Sequence, residues 1–216
     1  MSEQLILALN EAKQQENYFA LPEEFISKLI FSSISFDDPS FKEEDVTKVL
    51  KSQFTGVSAE KVQKITNQKN ALYKVIDMAK NNIEMTENNL KDIHQILCDG
   101  TNIVGGLYRN VNISVKGSNH TPCSHEKVYD RMDKYFAFLA DEPKGNLMEY
   151  IAYAHVQLAK IHPFLDCNGR LARLVLNYEL IKHGFIINRN QFNVTQNFFR
   201  FHFGFFRFCD STDIFK

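Results

Sequence analysis

The stretch HPFLDCNGRLAR, residues 162–173, gathers within twelve positions the residue types that handle a bound anion and a proton. His162 is the one group in it that titrates near neutral pH, so it can take a proton from an attacking hydroxyl. Pro163 and the run Asp166-Cys167-Asn168-Gly169 force a loop, which sets Asn168, Gly169 and Arg170 at the entrance of the helix that follows. Free backbone N–H groups and the helix dipole favour an anion at such an entrance, and a polyphosphate could rest there. Arg170 and Arg173 are three apart, with Asn177 four further on, so they share one face and two guanidinium forks point toward the same end of the loop. Asp166 offers a hard oxygen ligand, suited to a magnesium ion held by one carboxylate together with substrate phosphates. Each of these residues alone has an ordinary structural role, as a turn, a solvated charge or a packed ring. The combination is what points to chemistry.

The elements that must hold this loop are helical. Before it, Leu147, Ile151, Ala154, Leu158 and Ile161 recur every three or four residues as one buried stripe. After it, Leu171, Leu174, Val175, Tyr178 and Ile181 repeat the pattern, and Gly184 ends the helix. Further upstream, Pro22 followed by EEFISKLIF starts a short helix, and SSISFDDPS breaks the pattern. KEEDVTKVLKSQF, the segment from Ser58 and the Thr86-capped TENNLKDIHQIL complete a helical first hundred residues, the last stopping at Asp99-Gly100. Between them and the motif, Val111, Ile113 and Val115 alternate with polar residues before Lys116-Gly117-Ser118-Asn119, the signature of a short hairpin or flap. The expectation is an all-α fold with one small β-hairpin, as a helical region over 1–80 and a main domain over 81–216.

Composition bounds the partners. A formal charge of −1 gives no basic excess with which to hold a nucleic-acid backbone. No basic-then-apolar leader opens the chain and no run of eighteen apolar residues could span a bilayer, so the expectation is a cytoplasmic protein with neither nucleic acid nor membrane as partner. Cys98, Cys123, Cys167 and Cys209 are far apart and read as reduced thiols. His120, Cys123 and His125 lack a fourth ligand nearby and read as a polar turn rather than a metal site. The Phe-rich end, NFFRFHFGFFRF, reads as a packing surface.

Taken whole, the loop resembles the Fic family motif HxFx(D/E)GNGRxxR, matching at His162, Phe164, Asp166, Asn168, Gly169, Arg170 and Arg173. The resemblance extends from about Thr86, through GLYR and the flap, to LNYELIKHGF. It implies a helical Fic core that moves AMP from the co-substrate ATP onto a Ser, Thr or Tyr hydroxyl of a target protein. In that reading His162 is the base, and Asp166 holds Mg2+ or Mn2+. Asn168, the Gly169 N–H, Arg170 and Arg173 bind phosphates, Phe164 anchors the loop, and the flap of Ile113, Ser114, Val115 and Lys116 docks the target segment. Cys167 stands where the family usually has Gly, and is read as tolerated on the premise that the position needs only a small residue. The family's inhibitory helix, (S/T)xxxE(G/N), finds its best counterpart at Ser33 to Asp37, where Asp replaces the Glu and would need a closer approach to reach Arg173; an acidic surface turn is the alternative. Other readings kept open are transfer of UMP, phosphocholine or phosphate, though Gly169 stands where the phosphate-transferring branch has Lys. A nucleotide- or partner-binding domain without turnover, a toxin held by an antitoxin, and a homodimer also stay open.

Overall fold

Seven α-helices and one 3-10 turn make up the computed structural model, which describes residues 21–115, 120–141, 143 and 145–185. In chain order the helices are α1 (Glu23–Asp37), α2 (Glu43–Leu50), α3 (Ala59–Lys80), α4 (Glu87–Cys98), α5 (Val128–Ala140), α6 (Leu147–Ile161) and α7 (Asn168–Lys182). The starts are chemically marked: Ser58 Oγ accepts the N–H of Lys61, Thr86 Oγ1 that of Asn89, and Asn146 Oδ1 that of Met148. Gly184, at φ 86°, closes α7, with its N–H on Ile181 O and that of Phe185 on Leu180 O.

The core forms around α7, which packs against α3, α6, α1 and α4. Leu171, Leu174, Val175 and Tyr178 are fully buried, as the sequence stripe requires, and Leu176 and Leu180 are buried too, against Ile151 of α6. One cluster joins Ile30 of α1, Ile65 and Leu72 of α3, Leu90 and Leu97 of α4, Leu158 of α6 and the α7 stripe. The N-terminal helices therefore share a core with the helices that frame the loop.

Two expectations change. SSISFD does not break a helix: α1 runs through it to Asp37, because Ser33 is buried against α7 and gains partners there that outweigh the poor helix propensity of serine. No hairpin is seen among the described residues: they contain no strand, and 111–115 run without ladder pairing. The Arg109 side chain takes the Val111 carbonyl, and Asn112 Oδ1 takes the His125 N–H, so side chains occupy backbone groups that a ladder would use. Lys116 and its turn residues lie outside the described residues, as does the Phe-rich end with Cys209. No helix among the described residues is long and apolar enough to cross a membrane.

Truncating Leu174 to Ala should cost about 2–5 kcal/mol, the range for a large-to-small change in a closed core. Urea unfolding should show it as a lowered midpoint at unchanged slope. A loss under about 1 kcal/mol would mean that α7 is not the helix on which the core closes.

Candidate anion-binding and proton-transfer site

The loop from His162 to Cys167 joins α6 to α7, and both of its end residues are left-handed: His162 at φ 51° and Cys167 at φ 61°. For an L-residue that conformation costs on the order of 1–2 kcal/mol. Position 167 thus does use the backbone shape that glycine favours, contrary to the expectation that it needs only a small residue. Buried polar contacts offset the strain. Asn168, 1% exposed, accepts the Phe164 N–H at 2.9 Å and donates to the Phe164 carbonyl at 2.8 Å, closing the loop on itself. Its side chain is a staple inside the loop, so what Asn168 can offer an anion is its backbone N–H.

Phe164 is fully buried and stacks on His94 of α4 at 3.7 Å between ring centroids. His94 accepts the Gly106 N–H on Nδ1, which leaves the proton on Nε2 to bond the Asp166 carbonyl at 3.1 Å. Gly105 allows this approach, since a Cβ there would lie 2.4 Å from Gln95 Cα. On the loop's other side Arg109, 2% exposed, donates from Nε to the His162 carbonyl at 2.8 Å and from its guanidinium to Val111 O and Cys123 O, while its N–H meets Pro163 O. Neither Arg109 nor His94 is singled out by sequence reasoning. His94 and Cys98 do fall four and eight residues after buried Leu90, which puts them on the buried face of α4; nothing local marks Arg109 as buried.

His162 Nδ1 lies 3.1 Å from Ala159 O, so Nδ1 carries the proton and Nε2 keeps its lone pair for a base. Burial lowers its pKa below the ordinary histidine value, and Arg109 adds to this while the bond to Ala159 opposes it. The neutral, proton-accepting form is therefore the dominant one at neutral pH. Asp166 is exposed, and its Oδ1 accepts the Cys167 N–H at 2.6 Å.

The first helical bond of α7 is Leu171 N–H to Cys167 O, which leaves the N–H groups of Asn168, Gly169 and Arg170 without an intrahelical acceptor. Asp37 of α1 faces that end. A Cβ placed on Gly169 would lie 3.4 Å from Asp37 Oδ1 and 3.2 Å from Arg173 Nη1, so the carboxylate and the guanidinium both lie close against the start of α7. Arg173 donates to Asp37 Oδ1 and to Ser33 O at 2.8 Å each and to Ser33 Oγ at 3.1 Å, with the Phe36 ring 5.1 Å from the guanidinium carbon. Arg170 Nε lies 3.6 Å from Asp37 Oδ2. One carboxylate thus meets both arginines at a helix N-terminus. The shorter acid reaches because α1 comes close enough for the Ser33 carbonyl to join.

Three further sequence-marked residues part company. His120 bonds Lys160 O, Cys123 meets Ile161 O, and His125 pairs with Asn112. Cys98 and Cys167, 69 positions apart, come to 3.6 Å between sulfurs, and Arg170 Nη2 lies 2.8 Å from Cys167 Sγ. The sulfur–sulfur hydrogen bond lowers the Cys98 thiol below its ordinary value, with His94 and Arg170 helping and burial opposing, while that bond and burial push Cys167 up.

These features define a helical protein in which open N–H groups and two arginines meet one carboxylate at the start of α7, with His162 at the other end of the same loop. Residues 84–180 match the Fic/DOC family. The chain is 33% identical over 106 residues to the protein adenylyltransferase Fic of Drosophila persimilis, covering 48% of this chain and 20% of that protein. It is 31% identical over 146 residues to a uridine 5'-monophosphate transferase of Xanthomonas campestris pv. campestris, covering 60% and 27%. The matches thus span about a fifth to a quarter of these relatives' lengths. Among solved structures, a Fic domain containing signaling protein from Bacteroides thetaiotaomicron superposes with a TM-score of 0.72 at 20% identity, over 90% of this chain and 78% of that one. Fic-1 from Caenorhabditis elegans does so with a TM-score of 0.68 at 18% identity, over 84% and 57%. Both show that the fold is shared.

An NMR titration of the histidine ring protons should find His162 changing charge below pH 6.5, the ordinary value. Arg109→Ala should move that midpoint upward by removing a nearby cation. A midpoint above the ordinary value in the intact chain would contradict the burial argument.

Proposed function

We propose that this chain transfers AMP from ATP to a Ser, Thr or Tyr hydroxyl of a target protein, releasing pyrophosphate, and that Asp37 holds it back. The observation that carries the reading is the meeting of a proton-accepting His162 with an anion site now taken up by a carboxylate. The nucleotide's terminal phosphates would replace Asp37 between Arg170 and Arg173, over the Gly169 N–H. The target hydroxyl loses its proton to His162 Nε2 as its oxygen bonds the α-phosphorus and the bond to the pyrophosphate oxygen breaks. Catalysis then rests on positioning and charge stabilisation. Asp166, an exposed carboxylate beside the cradle, fits a magnesium ion shared with substrate phosphates, whose role would be to neutralise phosphate charge.

The segment at Ile113, Ser114 and Val115, running toward Lys116, would dock an extended piece of the target by main-chain hydrogen bonds, which its lack of ladder partners supports. Ser33 and Asp37 would act as the restraining contact: the carboxylate binds where a γ-phosphate would, so nucleotide must displace it. Asp37 is partly exposed, so the restraint is worth about 1 kcal/mol, roughly a fivefold effect. The names of the relatives include a UMP transferase, which makes the donor base the open alternative within the same chemistry.

Intact mass of the chain, alone and with a cell lysate as target source, after incubation with magnesium and ATP or UTP tests this. One adenylyl group should be gained with ATP, about fivefold faster in Asp37→Ala. His162→Ala should lower the rate by about 10²–10⁴ while ATP still binds. Arg173→Ala should weaken ATP binding by about 1.5–3 kcal/mol, a tenfold loss or more. Transfer from UTP alone would change the donor; full activity in His162→Ala would end the mechanism.

A further inference from the structure

The two thiols behind the loop have no part in that mechanism, yet they are held together by the fold. Cys98 is the last residue of α4 and Cys167 the residue before α7. Their sulfurs lie 3.6 Å apart, and the residues are only 3% and 4% exposed. Arg170 sets a cation 2.8 Å from the Cys167 sulfur, which favours the thiolate there. His94 adds a third metal-ligating group to the cluster. A metal fits poorly, because Nδ1 of His94 accepts the Gly106 N–H, its Nε2 bonds Asp166 O, and the Arg170 cation would face the ion.

We propose that Cys98 and Cys167 are a redox modification site, converted by hydrogen peroxide to a disulfide that ties the anion loop to the end of α4. One sulfur, having released its proton, attacks a peroxide oxygen. The O–O bond breaks, leaving a sulfenic acid and a hydroxide that takes up the released proton as water. The second sulfur then attacks the first: the S–S bond forms, the S–O bond breaks, and the departing oxygen leaves as water with the second thiol's proton. Two thiols and one peroxide become one disulfide and two waters, and a dithiol reductant reverses the change.

The consequence follows from where Cys167 sits. Closing the sulfurs to a bond of about 2 Å draws Cys167 toward α4. The Cys167 N–H bonds Asp166 Oδ1, and the next residues carry the open N–H groups, so the cradle shifts with it. Arg170 also loses a sulfur able to bear charge. Oxidation should therefore weaken nucleotide binding severalfold, a consequence that rests on the proposed function, whereas the bond itself does not.

The test is to treat the full chain with stoichiometric hydrogen peroxide, alkylate it under denaturing conditions, and map its peptides by mass. The expected product links Cys98 to Cys167, with two hydrogens lost and restored by dithiothreitol. In Cys98→Ser, dimedone should instead trap a sulfenic acid at Cys167; the wild-type map suffices if that variant does not fold. Complete alkylation of both residues after peroxide would overturn the proposal, and so would a bond to Cys123 or Cys209 in their place. Purified protein carrying one equivalent of zinc that shields both thiols would overturn it in favour of a metal centre. Calorimetry with ATP should show severalfold weaker binding to the oxidised form. Equal binding would refute the coupling, while no binding to either form would refute the nucleotide reading and leave the bond standing.

Discussion

The site depends on a loop of six residues held in a shape that its sequence alone would not keep. Left-handed backbone at His162 and Cys167 turns the chain from α6 into α7 within four intervening residues. At on the order of 1–2 kcal/mol each, the two strained residues persist only if their surroundings outweigh them. Asn168 bonds both polar atoms of the Phe164 backbone, Phe164 fills the core against His94, and Arg109 takes the His162 carbonyl. Net contributions near 1 kcal/mol for each such hydrogen bond are of the right size to offset the strain. The buried, satisfied network is the reason that one His162 nitrogen stays free while the other is pinned.

Charge at the start of α7 is the second organising feature. Three N–H groups without helical acceptors and two guanidinium groups make a strongly positive corner, and burial of Arg170 and Arg173 lowers the dielectric around it. Such a corner does not stay without an anion, and Asp37 supplies one. The carboxylate holds α1 against α7 through the same groups that a phosphate would use. Stability of the N-terminal helix and access to the proposed anion site would therefore be coupled, since whatever displaces Asp37 must also replace its contacts with Arg173.

What could be read from the sequence was what is local. The two apolar stripes flanking the loop, the caps at Ser58, Thr86 and Asn146, and the stop at Gly184 all depend on residues within a few positions of one another. The run from His162 to Arg173 falls in the same class, because helix geometry converts spacing directly into a shared face. What was missed is non-local. Arg109 and His94 act on the loop from 53 and 72 residues away, and their types suggest surface charge or an ordinary core residue. Cys98 and Cys167 looked unrelated for the same reason. Ser33 lost its helix on propensity and regained it through Arg173, 140 residues on. The hairpin failed because alternation at 111–115 cannot reveal that a buried arginine has taken the Val111 carbonyl.

Cys167 ties these threads together. A glycine there would adopt φ 61° at little cost, but it would leave Arg170 without the sulfur at 2.8 Å and with only Asp37 Oδ2 at 3.6 Å. The cysteine accepts backbone strain and in return gives the Arg170 guanidinium a buried partner on the core side of the cradle. Arg170 is accordingly shared between a sulfur behind the loop and a carboxylate in front of it. In the proposed reaction an incoming phosphate would compete for one side of that guanidinium, and the chemical state of the sulfur would govern the other. The residue that departs from the family pattern is thus the one through which the core can act on the anion site.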